Sequence, residues 1–290
     1  AVQRVVAQAM EVIDAFPAWY EAELLRGQRA KLGLADAHGI GAMLVLFDGC
    51  WNPVSHLGPQ PDPRPRTHNS IWLQSPGSEI LSEPRRWHEL RPYVDEVLGR
   101  FGDDRRVHCW DLFNEPNAPE INYIATGSAD KYWLATELLD RVFDWAQAAD
   151  PSQPLTAGVF VGVSGALERG DRINRLMLSR SDVITFHNYL PRRRLEGCID
   201  HLAAYGRPVL CTEWMGRPRS TPDLIDVFAD RQVGCYTWGL VDGRTQTRYP
   251  WSSWQKDTPP DAPWFHELLH GDGRPYDQAE VERFRRVTRR

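Results

Sequence analysis

Short, nearly unbroken apolar runs alternate along this chain with segments whose apolar residues recur every three to four positions. The run 41–47 (Gly-Ala-Met-Leu-Val-Leu-Phe) opens into Asp48-Gly49-Cys50-Trp51-Asn52-Pro53. Similar runs cover 107–113, 155–161, 183–186, 208–212 and 233–238. Runs of this length without polar alternation predict parallel strands buried on both faces. The helical spacing predicts helices over 3–16 (Val6, Met10, Ile13, Phe16) and 19–38. Further helices are predicted over 84–100 (Trp87, Leu90, Val94, Val97, Leu98), 130–148 (Trp133, Leu138, Val142, Phe143) and 170–179. Leu195, Cys198, Ile199 and Leu202 mark another, and 222–229 and 277–288 complete the set.

Strand and helix in alternation predict an α/β fold, with a parallel sheet and helices outside it. No strand leads into a glycine-rich dinucleotide loop, which argues against an open nucleotide-binding sheet. Polar residues at nearly every strand's C-terminal end favour a TIM (β/α)8 barrel with its site on that face. Six strands can be counted, and a closed barrel needs eight. Residues 1–38 offer only helical patterns, so the expectation is a barrel that as given lacks its first two strands. The chain 1–290 reads as a single catalytic domain, with 1–38 helical and atypical. Residues 54–83 read as a long active-site loop rich in Pro, His and Gln, since loops of this length in compact domains are usually functional. Residues 242–265 read as an irregular, Trp-rich loop.

Composition narrows the function classes. A chain of 290 residues suits one barrel, and 42% apolar with 25% charged residues is ordinary for a globular protein. The net charge of −5 comes with no basic block to track phosphates, so no nucleic-acid partner is expected. No window reaches the ~18 apolar residues of a spanning helix, so no membrane is expected. The N-terminus lacks the basic region and apolar stretch of a signal peptide. Cys50, Cys109, Cys198, Cys211 and Cys235 include no Cys-x-x-Cys pair, and four of the five lie in apolar runs. Buried free thiols mildly favour a reducing compartment, hence a cytoplasmic location, with secretion after signal removal as the alternative. His56 and His68 are too loosely spaced to hold a metal, and no cofactor is implied. The sequence does not specify an oligomeric state.

Two apolar runs end in a glutamate: Trp110-Asp111-Leu112-Phe113-Asn114-Glu115-Pro116 and Val209-Leu210-Cys211-Thr212-Glu213-Trp214. Two strands that each deliver a carboxylate at the C-terminal end are how a barrel hydrolase builds an acid/base and a nucleophile. The plain alternative is a pair of solvated glutamates. Trp51-Asn52-Pro53 after the first visible strand, Phe186-His187-Asn188-Tyr189 and Trp238-Gly239-Leu240-Val241 complete the pattern. On these motifs the chain, from about residue 35 onward, resembles the retaining β-glycosidases of the TIM-barrel clan. It is most similar to the cellulase-related group that includes endo-1,4-β-xylanases.

The resemblance implies hydrolysis of β-glycosidic bonds in an oligo- or polysaccharide by a two-glutamate double displacement. Glu115 is then the acid/base on strand four and Glu213 the nucleophile on strand seven. Retention requires their carboxyl groups about 5–5.5 Å apart. Asn114 would bond the sugar 2-hydroxyl, or cap the strand-to-loop turn. Tyr189 would bond the nucleophile and His187 the substrate, or either would be packing. Trp238 would floor a sugar subsite, or belong to the core. Trp51 and Asp48 would contact ring and hydroxyls, and Asn52 would do so or form an Asx turn before Pro53. His68, Asn69, Trp72 and Gln74 read as specificity residues in the long loop. Trp214 stands evenly between core and subsite, and Trp251 and Trp254 between aromatic clamp and surface packing. The family's second strand carries an arginine that bonds the nucleophile, and no residue here is matched to it. Arg192, Arg193, Arg194, Arg217 and Arg219 lie just past strand ends, either greeting substrate or solvated. Two other readings use the same residues: a transglycosylase, and a carbohydrate-binding relic without turnover.

Overall fold

The computed structural model describes residues 26–54, 62–116, 118, 130–160 and 171–288. The helix expected over 3–16 lies outside the described residues, as do 19–25 of the next. The chain divides into two compact units. One comprises Ala1–Gln60, Leu73–Gly158 and Asp171–Asp182; the other comprises Pro61–Trp72, Val159–Gly170 and Val183–Arg290.

The first unit holds a parallel sheet of β1 (Ala42–Asp48), β2 (Val107–Asn114) and β3 (Leu155–Thr156), in that order. Its helices are α1 (Arg26–Ala37), α2 (Ser78–Leu81), α3 (Arg91–Phe101), α4 (Lys131–Ala149) and α5 (Arg172–Arg180). Phe47 and Phe113 face each other across the β1–β2 register, and Tyr93 of α3 meets Phe47 edge-on at 5.5 Å. The Tyr93 hydroxyl donates to the Leu46 carbonyl at 3.1 Å, which allows a phenol to be buried there. Trp110 is wholly buried, and its ring N–H donates to Gln153 at 3.0 Å.

The second unit holds a four-stranded parallel sheet: β4 (Val159–Phe160), β5 (Ile184–Asn188), β6 (Val209–Trp214) and β7 (Gly234–Thr237). Its helices are α6 (Arg192–Ala203), α7 (Ile225–Asp230) and α8 (Gln278–Thr288). Trp214 is buried between helices, 5.0 Å from Phe228 of α7 and stacked at 5.8 Å on Phe284 of α8. Leu195, Cys198, Ile199 and Leu202 form the buried stripe of α6. The expected α/β fold with parallel sheets is the one found.

Several boundaries differ from expectation for identifiable reasons. The run 155–161 gives two two-residue strands instead of one. Between them the Ala157 N–H donates to the Ser181 hydroxyl and the Gly158 N–H to the Asp111 carboxylate, so side chains take the place of ladder carbonyls. The segment 84–100 is a 3-10 turn over Pro84–Leu90 followed by α3, whose first turn holds Pro92. Proline lacks the N–H a continuous helix needs, but is tolerated at a helix start. A 3-10 turn over Pro222–Leu224 likewise precedes α7. The long loop contains α2. Trp238 sits one residue beyond β7. Among the described residues no strand precedes β1, and no helix is long and apolar enough to cross a membrane.

The turn after β1 passes so close to β2's end that a side chain has no room. A Cβ at Gly49 would lie 2.3 Å from the Glu115 carbonyl oxygen and 2.9 Å from the Pro116 Cα. Gly49→Ala should therefore destabilise the protein by about 1–3 kcal/mol through overpacking. The check is the urea unfolding midpoint, and an unchanged midpoint contradicts this account of the turn.

Candidate active site

In the first unit the chemistry gathers where β1 and β2 end side by side, Asp48 paired with Asn114. Asp48, Asn114 and Glu115 are all buried. The Asp48 carboxylate accepts from the Cys50 N–H at 2.7 Å and from the Asn114 amide at 3.2 Å. The Gly49 N–H donates to the Asn114 carbonyl at 2.8 Å. The Cys50 thiol donates to Glu115 Oε2 at 2.9 Å. Glu115 has a positive φ of 43°, so the chain turns sharply as it leaves β2. Burial pushes the Asp48 carboxyl up to about 7, reinforced by the charges of Glu115 and Asp111 and opposed by its two hydrogen bonds.

Lys131 joins this group from α4. It is buried, and its ammonium donates to the Gly49 carbonyl at 2.6 Å. Sequence reasoning missed it, although a signal exists. Lys131 lies four residues before Ala135 and seven before Leu138, on the apolar stripe of α4. A lysine on that stripe is either misplaced or employed.

Asn52 takes the Asx-turn alternative, its side chain accepting from the Val54 N–H at 3.1 Å. Trp51 is half-buried with a φ of 70°. Gln74 is buried, its amide donating to the Pro76 carbonyl at 2.9 Å.

In the second unit Glu213 stands near the C-terminal end of β6, with 9% of its surface open. The Tyr189 hydroxyl donates to Glu213 Oε2 at 2.7 Å, and His187 Nδ1 lies 3.6 Å from the same oxygen. A bulge sets this up. Phe186 pairs with Cys211 and His187 with Glu213, and on the other edge Cys211 pairs with Cys235 and Trp214 with Thr237. β6 thus carries one residue more than either neighbour in this stretch. Bulges of this kind re-aim side chains near functional sites.

The remaining aromatic residues divide between surface and core. Trp238 and Trp72, both half-buried, meet edge-on at 5.9 Å. Trp251 packs at 4.9 Å against the Tyr189 ring, and Trp254 donates to the His68 carbonyl at 2.7 Å. Trp214 is a core residue, with no exposed surface to offer a sugar. His68 and Asn69 are also fully buried. His68 Nδ1 bonds the Tyr249 carbonyl at 2.7 Å, and burial pushes its imidazole down to about 4. With no exposed surface, His68 and Asn69 offer a substrate no face for the expected specificity role.

His266 and Glu267 were not singled out from sequence, because an irregular loop has no period to betray a buried face. His266 Nδ1 bonds the Met215 carbonyl at 2.5 Å, and its ring lies 5.4 Å from that of Tyr189. Glu267 accepts from the Thr247 hydroxyl, and burial raises its carboxyl to about 7. Arg217 is structural. Its guanidinium reaches the carbonyls of Trp264 and Glu267 and pairs with Glu280 of α8. Arg192 pairs with Glu196 and Asp223, while Arg193, Arg194 and Arg219 are exposed.

The raised Asp48 carboxyl makes a pH prediction. In the folded chain it holds its proton up to about 7, and in the unfolded chain only to about 3.8. Its contribution to stability is therefore complete below pH 3.8 and is lost as pH rises toward 7. Asp48→Asn should flatten the decline in unfolding free energy across that window. Urea titrations at both ends of the window measure it, and an unaltered slope refutes the assignment.

No protein-family model matches the sequence, and no curated protein matches it. Solved structures do match in fold. An endo-β-1,4-xylanase of glycoside hydrolase family 10 from Gloeophyllum trabeum is 13% identical over 90% of this chain and 79% of its own, with a TM-score of 0.52. A family 10 protein from Paenibacillus barcinonensis is 17% identical over 95% and 83%, with a TM-score of 0.53. The endo-β-1,4-mannanase from Thermotoga petrophila is 16% identical over 89% and 59%, with a TM-score of 0.55. The likeness is one of fold: this chain has an α/β fold of the TIM (β/α)8-barrel class, related to that of these glycoside hydrolases.

Proposed function

We propose that this chain is a retaining β-glycoside hydrolase, with Glu213 as nucleophile and Glu115 as acid/base. The observation that carries the reading is the Tyr189–Glu213 hydrogen bond at a strand's C-terminal end. A phenol donating to a carboxylate favours the ionised form, which a nucleophile needs. Glu115 follows directly on β2 and is buried in the first unit, as is Asp48.

In the first step Glu213 attacks the anomeric carbon while Glu115 gives its proton to the departing glycosidic oxygen. In the second step Glu115 takes a proton from water, whose oxygen attacks the same carbon and releases Glu213. Two inversions give net retention. Trp238 and Trp72 would stack on the apolar C–H faces of a pyranose. His187 would serve the substrate as well as Glu213. Asn114 would reach the sugar 2-hydroxyl with the part of its amide not given to Asp48. The related folds include enzymes named for β-1,4-xylan and β-1,4-mannan cleavage, and β-1,4-linked polysaccharides are the substrate class to try first.

Glu213→Gly should reduce hydrolysis of aryl β-glycosides to background. Azide should then restore part of it and release the α-glycosyl azide, read by NMR. Full activity in this variant would sink the proposal. Glu115→Ala should cost ~10²–10⁴-fold in kcat/KM on poor leaving groups and far less on activated aryl glycosides. A loss independent of leaving group would remove Glu115 from the acid/base role.

A further inference from the structure

We infer that Trp251 is a positioning residue for Tyr189, one whose ring holds the phenol on the Glu213 carboxylate. The inference rests on the reading of Glu213 as nucleophile, and every residue in it belongs to the second unit. A phenol hydroxyl sits at the far end of its side chain, and several staggered rotamers are open to that side chain. Only a ring held in place delivers the hydroxyl to Glu213 Oε2 at 2.7 Å. Trp251 supplies a wall for the ring, meeting it edge-on at 4.9 Å with the two planes 89° apart. Aromatic pairs favour this T-shaped arrangement, so the contact resists rotation of the phenol as well as its displacement.

The tryptophan is itself held. Its ring meets Phe265 at 5.1 Å. The turn that carries it, Trp251–Trp254, is tied twice to one residue. The His68 N–H donates to the Ser253 hydroxyl at 2.9 Å, and the Trp254 indole donates to the His68 carbonyl at 2.7 Å. Gly216 makes room for the rings: a Cβ there would lie 3.1 Å from Tyr189 Cδ1 and 3.2 Å from Phe265 Cζ. His266 adds a further surface 5.4 Å from the Tyr189 ring, and its own Nδ1 is fixed on the Met215 carbonyl. A tethered loop and the turn after β6 thus converge on one phenol.

The test is a double-mutant cycle of wild type, Trp251→Ala, Tyr189→Phe and the double variant, on the aryl β-glycoside that the wild type turns over fastest. Trp251→Ala should lower kcat/KM about tenfold, the scale of a hydrogen bond to a charged group. In the Tyr189→Phe background, where the hydroxyl is already gone, the same change should cost less than about twofold. Losing a donor raises a carboxylate's pKa, and attack needs Glu213 ionised. The acid limb of the kcat/KM profile should therefore move to higher pH in Trp251→Ala. His187 also faces Glu213 and is the same in every variant, while burial holds the His266 imidazole well below its ordinary value and so neutral. Trp251→Phe should recover most of the loss. Trp251→Leu, which keeps apolar bulk without a planar ring, should show the same acid-limb shift and serves where alanine unsettles the loop. A loss equal in both backgrounds, or one confined to KM, marks a sugar-stacking residue and overturns the inference. So does an acid limb unmoved in the alanine and leucine variants.

A second measurement needs no turnover. In crystal structures of Trp251→Ala and Trp251→Leu the Tyr189 hydroxyl should lie beyond hydrogen-bond reach of Glu213. A Tyr189–Glu213 bond intact in these variants overturns the inference independently. Absence of hydrolysis in the wild type counts against the proposed function instead, and the variant structures still decide what holds the phenol.

Discussion

Between Cys211 and Glu213, β6 carries one residue more than the strands on either side of it. Side chains on a strand alternate between faces, and slipping the register by one residue exchanges them. Here the extra residue lets two adjacent bulky side chains both find suitable surroundings. The Trp214 ring lies against Phe228 and Phe284, where only apolar surface is acceptable. Glu213 is presented to Tyr189 and His187, where only a polar group is acceptable. The stacking of Trp214 and the hydrogen bond to Glu213 therefore fix each other.

The end of the first sheet answers a different demand. Asp48, Asn114 and Glu115 are all buried, and buried polar groups are costly unless satisfied. The structure meets the cost with donors from the turn after β1, namely the Cys50 N–H and thiol, and from the end of β2, namely the Asn114 amide. The Lys131 ammonium holds that turn from outside. The raised Asp48 carboxyl is the residue of cost that the donors do not remove.

Much of this could be read from sequence, because burial on both faces leaves a plain apolar run. The runs ending at Phe47, Phe113 and Trp214 each became a strand. Legibility failed where polar side chains did backbone work. Ser181 and Asp111 split the run after Leu155, and nothing in that run announces acceptors donated from elsewhere in the chain. Tryptophans were ambiguous for a related reason. Trp214 and Trp238 both sit near strand ends, and only the bulge and the neighbouring helices show that the first belongs to the core. Asn52 was open between two roles because an Asx turn and a ligand contact ask for the same amide. Lys131 was legible as an anomaly on a helical stripe. His266 and Glu267 were not, since a loop buries residues by its path and not by a period.

The Arg217–Glu280 pair has a bearing on how the chain is made. It joins the turn after β6 to α8, and α8 also supplies Phe284 to the face of Trp214. During synthesis the ribosome releases β6 some sixty residues before Glu280, the pair being 63 positions apart. Until then the tryptophan face is open and the guanidinium lacks its carboxylate. A nascent chain stalled in that interval presents an apolar patch of the kind that chaperones bind. The helix α8 is thus the fastening that closes the tryptophan face, and a chain that stopped just before it would leave that patch uncovered.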